Sequence, residues 1–358
     1  MFRIGVNIFI SGILFNWPVV FSRKGSCTNM QKLKILDRTP VLTEVTEDIY
    51  KLSVRFPFGM REVNSYLFKG ENGFTVVDPG VHTSETIEMW EQVLSSGINL
   101  EKIIITHAHV DHFGLAGWFQ ENYHVPVYIS DLGFKQMQKK TQSADYIKWK
   151  SSMIRHFDGP NIPEELMITE QEVFQFIPDG FFEGQQKVKL GNDLYDVIWT
   201  PGHSLDHMCF YNRERKLMVI GDMVLEAISP VITVWTNEDG SYANSLKCYF
   251  DSLDVVSSYS TNLILPGHGE LITNLPKRSE EIKNRHKLRM NQIVGFLNDE
   301  WKTAGQIYKE IYGNLSINKF YSPLIATVTR LIYLESAEKI SCEIHDGKYY
   351  YKLSDDNI

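Results

Sequence analysis

Thr106-His107-Ala108-His109-Val110-Asp111-His112 packs three imidazoles and a carboxylate into six positions, directly after the apolar run Ile103-Ile104-Ile105. The run reads as a buried strand, Phe113 to Asn122 as the helix that follows and Val125 to Ile129 as the next strand. The polar residues therefore occupy the loop of a βαβ unit, a rigid frame on which loops carry chemistry. Neutral imidazole and carboxylate are donors that zinc accepts beside thiolate. So many ionisable groups at a buried strand end cost several kcal/mol, roughly, unless a cation or hydrogen bonds compensate. A metal site explains them most directly.

Three further candidates lie outward from this loop, each just beyond an apolar strand: His203 in Thr200-Pro201-Gly202-His203, Asp222 in Val219-Ile220-Gly221-Asp222, and His268 in Leu265-Pro266-Gly267-His268-Gly269. Taken singly, each reads as a turn or cap residue. Taken with the cluster, they are what strand ends at one edge of a sheet would bring together. His82, His124, His156, His207, His286 and His345 have no such company and receive no role. His207 makes an i, i+4 pair with His203, but such pairs need a helix, and Met208 to Tyr211 reads as strand.

Farther out the chain divides into three parts. Residues 1–38 hold a mostly apolar run, Ile4 to Phe21, between Arg3 and Arg23-Lys24. It reads either as sequence upstream of a natural start at Met30 or as a weak anchor with basic residues on its inner side; with Met30 as the start, no membrane contact and a cytoplasmic location are expected. Residues 39–275 alternate strands (Glu44 to Val54, Val63 to Phe68, Phe74 to Asp78, Lys187 to Leu190, Leu194 to Thr200, Met208 to Tyr211, Leu217 to Gly221, Asn262 to Leu265) with helices (Thr83 to Ser96, Ala243 to Val256). A cap is inserted at 131–186. Residues 276–358 read as a long helix, helices near Thr303 to Tyr312 and Leu324 to Ser336, and a hairpin at Gly347, the order of a winged-helix-like domain. Lys+Arg 36 against Asp+Glu 44 gives a net charge of −8, which argues against general coating of nucleic acid. The cysteines, Cys27, Cys209, Cys248 and Cys342, lack CxxC spacing, so neither a disulfide framework nor a thiolate zinc knuckle is indicated and a reducing compartment fits.

His107-Ala108-His109-Val110-Asp111-His112 with His203, Asp222 and His268 resembles the metallo-β-lactamase-fold hydrolases, in particular their glyoxalase-II-like branch, from about Thr39 to Ile272. Thr200 to Met208 and the tail resemble the β-lactamase-like protein 2 group, whose relatives include a single-strand endoribonuclease. The resemblance implies an α/β (α+β) fold, a four-layer αβ/βα sandwich with a C-terminal winged-helix-like domain. It implies two Zn2+ per chain, with Fe2+ or Mn2+ as alternatives. His107, His109 and His203 would hold one metal, Asp111, His112 and His268 the other, and Asp222 would bridge both. Asp222 and Asp111 would be the catalytic carboxylates around a metal-bridging hydroxide. Asp78, in Val77-Asp78-Pro79-Gly80, matches the family's acid that orients the His loop; as a bare residue it reads equally as a turn aspartate. The secreted β-lactamases use a Cys where this chain has none, and the redox di-iron branch replaces the second His of the loop, which His109 retains. Zinc hydrolysis is thereby favoured, and no organic cofactor is expected.

Two classes of substrate follow. A small ester or thioester, acyl-CoA-like, is preferred; the alternative is metal-dependent cleavage of single-stranded RNA, or nucleic-acid binding through the winged helix. The third tail helix carries a single basic residue, Arg330, where a groove reader presents several, although Lys283, Arg285, Lys287 and Arg289 cluster on the helix before. The cap and the tip Arg55 to Arg61 are expected to wall the pocket. Tyr146, Trp149, Met153 and Phe157 either line it or bury a core stripe, and Lys148, Lys150 and Arg155 either meet coenzyme-A phosphates or form a solvated face. The tail module is expected to pack near the pocket mouth or to mediate self-association into a homo-oligomer.

Overall fold

The computed structural model describes residues 42–354 except 56–59, 61, 143, 163–175, 298–299 and 318, together with the backbone of two paired strands, β1 (Gly5–Ile10) and β2 (Ile13–Pro18). The expectations for the N-terminal start or anchor, for most of the Arg55 to Arg61 tip and for the second half of the cap lie outside the described residues. Among those described, no helix is long and apolar enough to cross a membrane.

Two sheets stack face to face. The first runs β3 (Thr43–Thr46), β4 (Ile49–Arg55), β5 (Glu62–Lys69), β6 (Phe74–Val77), β7 (Leu100–Ile104), β8 (Val127–Ser130) and β9 (Gly180–Phe182) in that spatial order, antiparallel to β6 and parallel from there. The second is β10 (Lys187–Leu190), β11 (Asp193–Trp199), β12 (Met208–Asn212), β13 (Leu217–Gly221) and β14 (Leu263–Pro266). Alternate residues of facing strands, among them Tyr66, Phe68, Val77 and Ile104 against Tyr195, Val197, Phe210, Val219 and Leu265, fill the layer between the sheets.

Helices cover both outer faces. On the first sheet lie α1 (Ser84–Ser95), α2 (Val110–Phe113) and α3 (Ala116–Tyr123), with Trp90 and Phe119 edge to face at 5.0 Å between centroids. Thr83 caps α1 by accepting the Thr86 N–H. On the second sheet lie α6 (Ser245–Ser257) and α7 (Leu275–Phe296), which bury Leu246, Tyr249, Leu253 and Ile282. Helix, sheet, sheet, helix is the four-layer sandwich expected from the sequence.

Two local readings are corrected. The helix read as Phe113 to Asn122 is two helices, and the first, α2, carries Asp111 and His112; a Cβ at Gly114 would run into the Val110 carbonyl oxygen, so the chain turns there on a residue without one. Residues 180–182, assigned to the cap, form the edge strand of the first sheet. The rest of the described cap is α4 (Asp131–Gln142) and α5 (Ala144–His156).

The tail adds β15 (Lys302–Thr303), α8 (Ala304–Tyr312), α9 (Tyr321–Ser336), β16 (Ile340–His345) and β17 (Lys348–Leu353), with β17 between β15 and β16. Thr303 and Gln306 form a reciprocal capping box at α8. Met153 and Ile154 of α5 and Phe157 just beyond it share one core with Ile307, Leu324, Val328 and Leu331 of the tail, so the core-stripe reading holds for Met153 and Phe157. That core runs without a break across the boundary drawn at 275.

His286 lies inside it, 3% exposed, with neither ring nitrogen hydrogen-bonded. Burial, aided by the Arg330 guanidinium, holds its pKa down at about 3. The folded value lies below the unfolded one, so this neutral ring favours the native state above about pH 6.5, and that advantage is lost at about 1.4 kcal/mol per pH unit as the pH falls toward 3. Replacing His286 with Phe should flatten the decline of melting temperature between pH 6.5 and 4; a decline parallel to that of the parent chain would refute this.

Candidate metal centre

Four strand ends deliver the site. The loop after β7 carries His107, His109, Asp111 and His112, the turn after β11 carries His203, and the ends of β13 and β14 lead into Asp222 and His268. All but His109 are buried.

Each imidazole is aimed by what its outer nitrogen touches. His203 Nδ1 donates to the Val231 carbonyl at 2.8 Å and His268 Nδ1 to that of Glu62. His112 Nδ1 lies 2.8 Å from Asp78 Oδ2. The Thr106 hydroxyl donates to Asp78 Oδ2 at 2.7 Å, so it accepts at 2.9 Å from His107 Nδ1. These bonds place a proton on Nδ1 of each ring and make Nε2 the atom it presents to the interior.

The inward nitrogens crowd together. His109 Nδ1 lies 2.9 Å from His107 Nε2 and 2.8 Å from His203 Nε2. At most one proton can sit among these three atoms, and it can serve only one contact. Asp222 Oδ2 stands 3.5, 3.4 and 3.3 Å from the Nε2 atoms of His112, His203 and His268, and Asp111 Oδ2 is 3.4 Å from His268 Nε2. His112 Nε2 and Asp222 Oδ1 are buried without a hydrogen-bond partner. Donors about 2.0–2.1 Å from a tetrahedral zinc lie roughly 3.3 Å apart. Convergent lone pairs at this spacing fit a small divalent cation, and two trios, His107/His109/His203 and Asp111/His112/His268, are close enough to hold one each.

Charge is arranged to match. Burial, then the neighbouring imidazoles, hold His107 and His109 well below the usual histidine range, and burial lowers His203. Burial opposes charge on His112 and His268 too, but the surrounding carboxylates, Asp222 foremost, outweigh it; His112 is raised well above its ordinary value and His268 to about 10. Burial would raise Asp222, yet His268 and His112 beside it bring it well below the carboxylate range. One half of the site is poised neutral, while the other needs positive charge amid its carboxylates.

Asp78 also falls near His107 and His112, but its oxygens are already engaged by the Thr106 N–H, the Thr106 hydroxyl and His112. It has a left-handed φ of 56° before Pro79, as a turn aspartate can, and its carboxylate is hydrogen-bonded to the His loop at Thr106 and His112.

Sequence reasoning gave His207 no role, and the structure corrects that. His207 Nε2 accepts the Asp222 N–H at 3.0 Å, and Nδ1 bonds the Thr200 hydroxyl at 2.8 Å. Gly221 makes room, with φ of 51° and a Cβ position only 2.7 Å from His207 Nε2. Burial holds His207 at about 3, so it remains an acceptor. Three more residues were missed. Asp206 Oδ2 accepts the Ala108 N–H at 2.6 Å. Asn64 and Tyr66, on β5, donate to the Pro266 carbonyl at 3.0 and 2.8 Å and so tie the His268 loop to the first sheet. Asp206 is visible in sequence only as one more polar residue near His203; Asn64 and Tyr66, some 200 positions away, left no signal.

The profile of the metallo-beta-lactamase superfamily matches residues 59–268, more than half of the chain and the span within which the eight residues expected at the site lie. The chain belongs to this superfamily. Superfamily membership and the named hydrolases among its relatives support a metal-dependent hydrolase. It is 24% identical over 322 residues, 86% of this chain and 98% of the other, to the probable metallo-hydrolase YqjP of Bacillus subtilis. To the beta-lactamase-like protein 2 homolog of Caenorhabditis elegans it is 23% identical, covering 72% of this chain and 73% of that one. It is 22% identical to the thioesterase pkgB of Emericella nidulans, over 73% of this chain and 63% of that protein. Among solved structures, a beta-lactamase domain protein from Burkholderia ambifaria superposes with a TM-score of 0.78 at 24% identity, covering 90% and 97% of the two chains, and so shares the superfamily fold.

Asp78→Asn keeps the shape but sets an amide against the Thr106 and His112 donors. Its metal affinity, read by competition with a chelator, should fall about 10- to 100-fold, whereas parent-like affinity would leave Asp78 a turn residue only.

Proposed function

We propose that the chain is a binuclear zinc hydrolase of small esters or thioesters, acyl-CoA-like in class. The observation that carries the two-metal reading is Asp222 Oδ2, which reaches His203 of one trio and His112 and His268 of the other within 3.3–3.5 Å. A single carboxylate placed so can serve both halves. When bound, such cations supply Lewis acidity toward a carbonyl oxygen and acidify water to a pKa of about 7. Asp222 and Asp111, kept ionised by the imidazoles around them, hold the proton-accepting positions, and His207 fixes the backbone from which Asp222 reaches.

A thioester is preferred because its leaving thiolate needs little protonation, and the site residues supply no evident acid for a poorer leaving group. The thioesterase among the relatives agrees. The tail supports the preference from the other side. In α9 no residue from 321 to 334 is exposed, and the β16–β17 tip offers Glu343 and Asp346. The four clustered basic residues of α7 are engaged within the chain: Lys283 with Asp254, Lys287 with Glu280, Arg285 with the Ala227 carbonyl and Arg289 with Gln292. We read the tail as winged-helix-like in topology with its groove-reading helix withdrawn into the core. Lys148 pairs with Asp145 and Lys150 covers the Tyr321 ring, so their part in holding coenzyme-A phosphates is secondary. Cys209, Cys248 and Cys342 are free thiols, in keeping with a cytoplasmic location.

Zinc analysis should return close to two equivalents, and an acyl-CoA panel should show hydrolysis that a chelator abolishes. Asp222→Ala should lose roughly 10²-fold or more of that activity while its circular dichroism stays native. Metal-dependent cleavage of single-stranded RNA with no thioester turnover would overturn the substrate class, and one equivalent of metal would overturn the binuclear site.

A further inference from the structure

We propose that Arg278, in the first turn of α7, is a positioning residue for the metal centre, fixing the loop that orients His203. The tail thereby becomes part of the site. This inference rests on the reading that His107, His109 and His203 hold a cation.

The loop in question leaves β13 at Asp222 and passes Val231, whose carbonyl takes the Nδ1 proton of His203 at 2.8 Å. The Thr233 N–H returns to the His203 carbonyl at 3.3 Å. Between these points Glu226, Ala227 and Ile228 are exposed and belong to no helix or strand, so only water or side chains from other elements can engage their carbonyls. It finds them on α7. Arg278 Nε donates to the Leu225 carbonyl at 2.7 Å and Nη2 to that of Ile228 at 2.8 Å, while Arg285 Nη1 reaches the Ala227 carbonyl at 3.1 Å.

Arg278 is itself locked, 6% exposed, with Nη1 on Glu281 at 3.0 Å. A planar guanidinium can hold two diverging carbonyls at fixed separation, which a lysine ammonium on a flexible stem cannot. Only Ser229 and Pro230 separate Ile228 from Val231, and the proline ring fixes one of the intervening φ angles. The Val231 carbonyl is thus set by where Arg278 puts Ile228. Should that carbonyl drift, His203 loses the acceptor that keeps its proton on Nδ1 and its Nε2 lone pair facing inward.

The effect should fall on one half of the centre. Asp222 is held independently, by His207 at its N–H and by Tyr249 Oη on the next residue's carbonyl, Met223, at 2.9 Å. His112 and His268 are oriented by Asp78 and the Glu62 carbonyl, neither of which Arg278 touches.

The test uses the full chain with Arg278→Met and Arg278→Lys, measuring the affinity of each zinc equivalent by chelator competition and the melting temperature of the metal-free proteins. One equivalent should weaken about 10- to 100-fold in Arg278→Met and less in Arg278→Lys, with the other equivalent unchanged. Parent-like affinity for both equivalents, or equal weakening of the two, overturns the proposal; should the Met variant fail to fold, the Lys variant decides by the same criterion. A parent chain that takes up no zinc would bring down the metal reading itself, an outcome distinct from variants that match a metal-binding parent.

Discussion

Buried ligand atoms turned toward one another, with the imidazoles of one trio kept from taking up protons and those of the other set among carboxylates, are the constraint around which this molecule is organised. Rings left to themselves would rotate to share hydrogen bonds or would protonate and separate. Here each outer nitrogen of His107, His112, His203 and His268 is tied to an acceptor supplied by the fold, and the inner nitrogens are left within 2.8–3.5 Å of one another and of Asp222. The cost of such an arrangement is offset when a divalent cation occupies the space, which is how a fold stores affinity for metal.

The acceptors come from all over the chain, and that is why the architecture takes the form it does. Asp78 follows β6, Glu62 opens β5, and Val231 lies in the long loop after β13. Two stacked sheets bring these points within reach of one edge, and specific ties hold the sheets in register. At the site end Asn64 and Tyr66 of the first sheet grip the Pro266 carbonyl of the second. In the turns between strands Arg215 binds Asp48 through both guanidinium nitrogens at 2.8 Å and Asp193 at 3.1 Å. Slippage of one sheet over the other would misplace donors by more than a metal site tolerates.

The tail fits the same logic. Its helix α9 is enclosed by α6, α7 and the end of α5, so the module is continuous with the body, and its arginines are spent on carbonyls and carboxylates of this chain. The tail buttresses the body, its arginines reaching inward to the loop after β13.

How much of this was legible beforehand can be judged residue by residue. His107, His109, Asp111 and His112 point to a metal by density alone, because a cation is the most direct explanation for so many ligand-type side chains after a buried strand. His203, Asp222 and His268 became persuasive in their company, and strand and helix periodicity marked the elements because burial imposes it locally, while their stacking into four layers was implied by the family resemblance. The break at Gly114, the edge strand at 180–182 and the duties of His207, Asp206, Asn64, Tyr66 and Arg278 were not legible. Each depends on an atom of another segment, often 100 to 200 residues away, and hydrogen-bond partnership across such distances leaves no trace in local pattern. The amino-acid sequence by itself therefore determined which side chains could bind metal and which segments would be strands and helices, since composition and period are local properties. Which nitrogen of each ring faces inward, and what holds it there, only the tertiary structure decided, because that choice belongs to the partner brought alongside by folding.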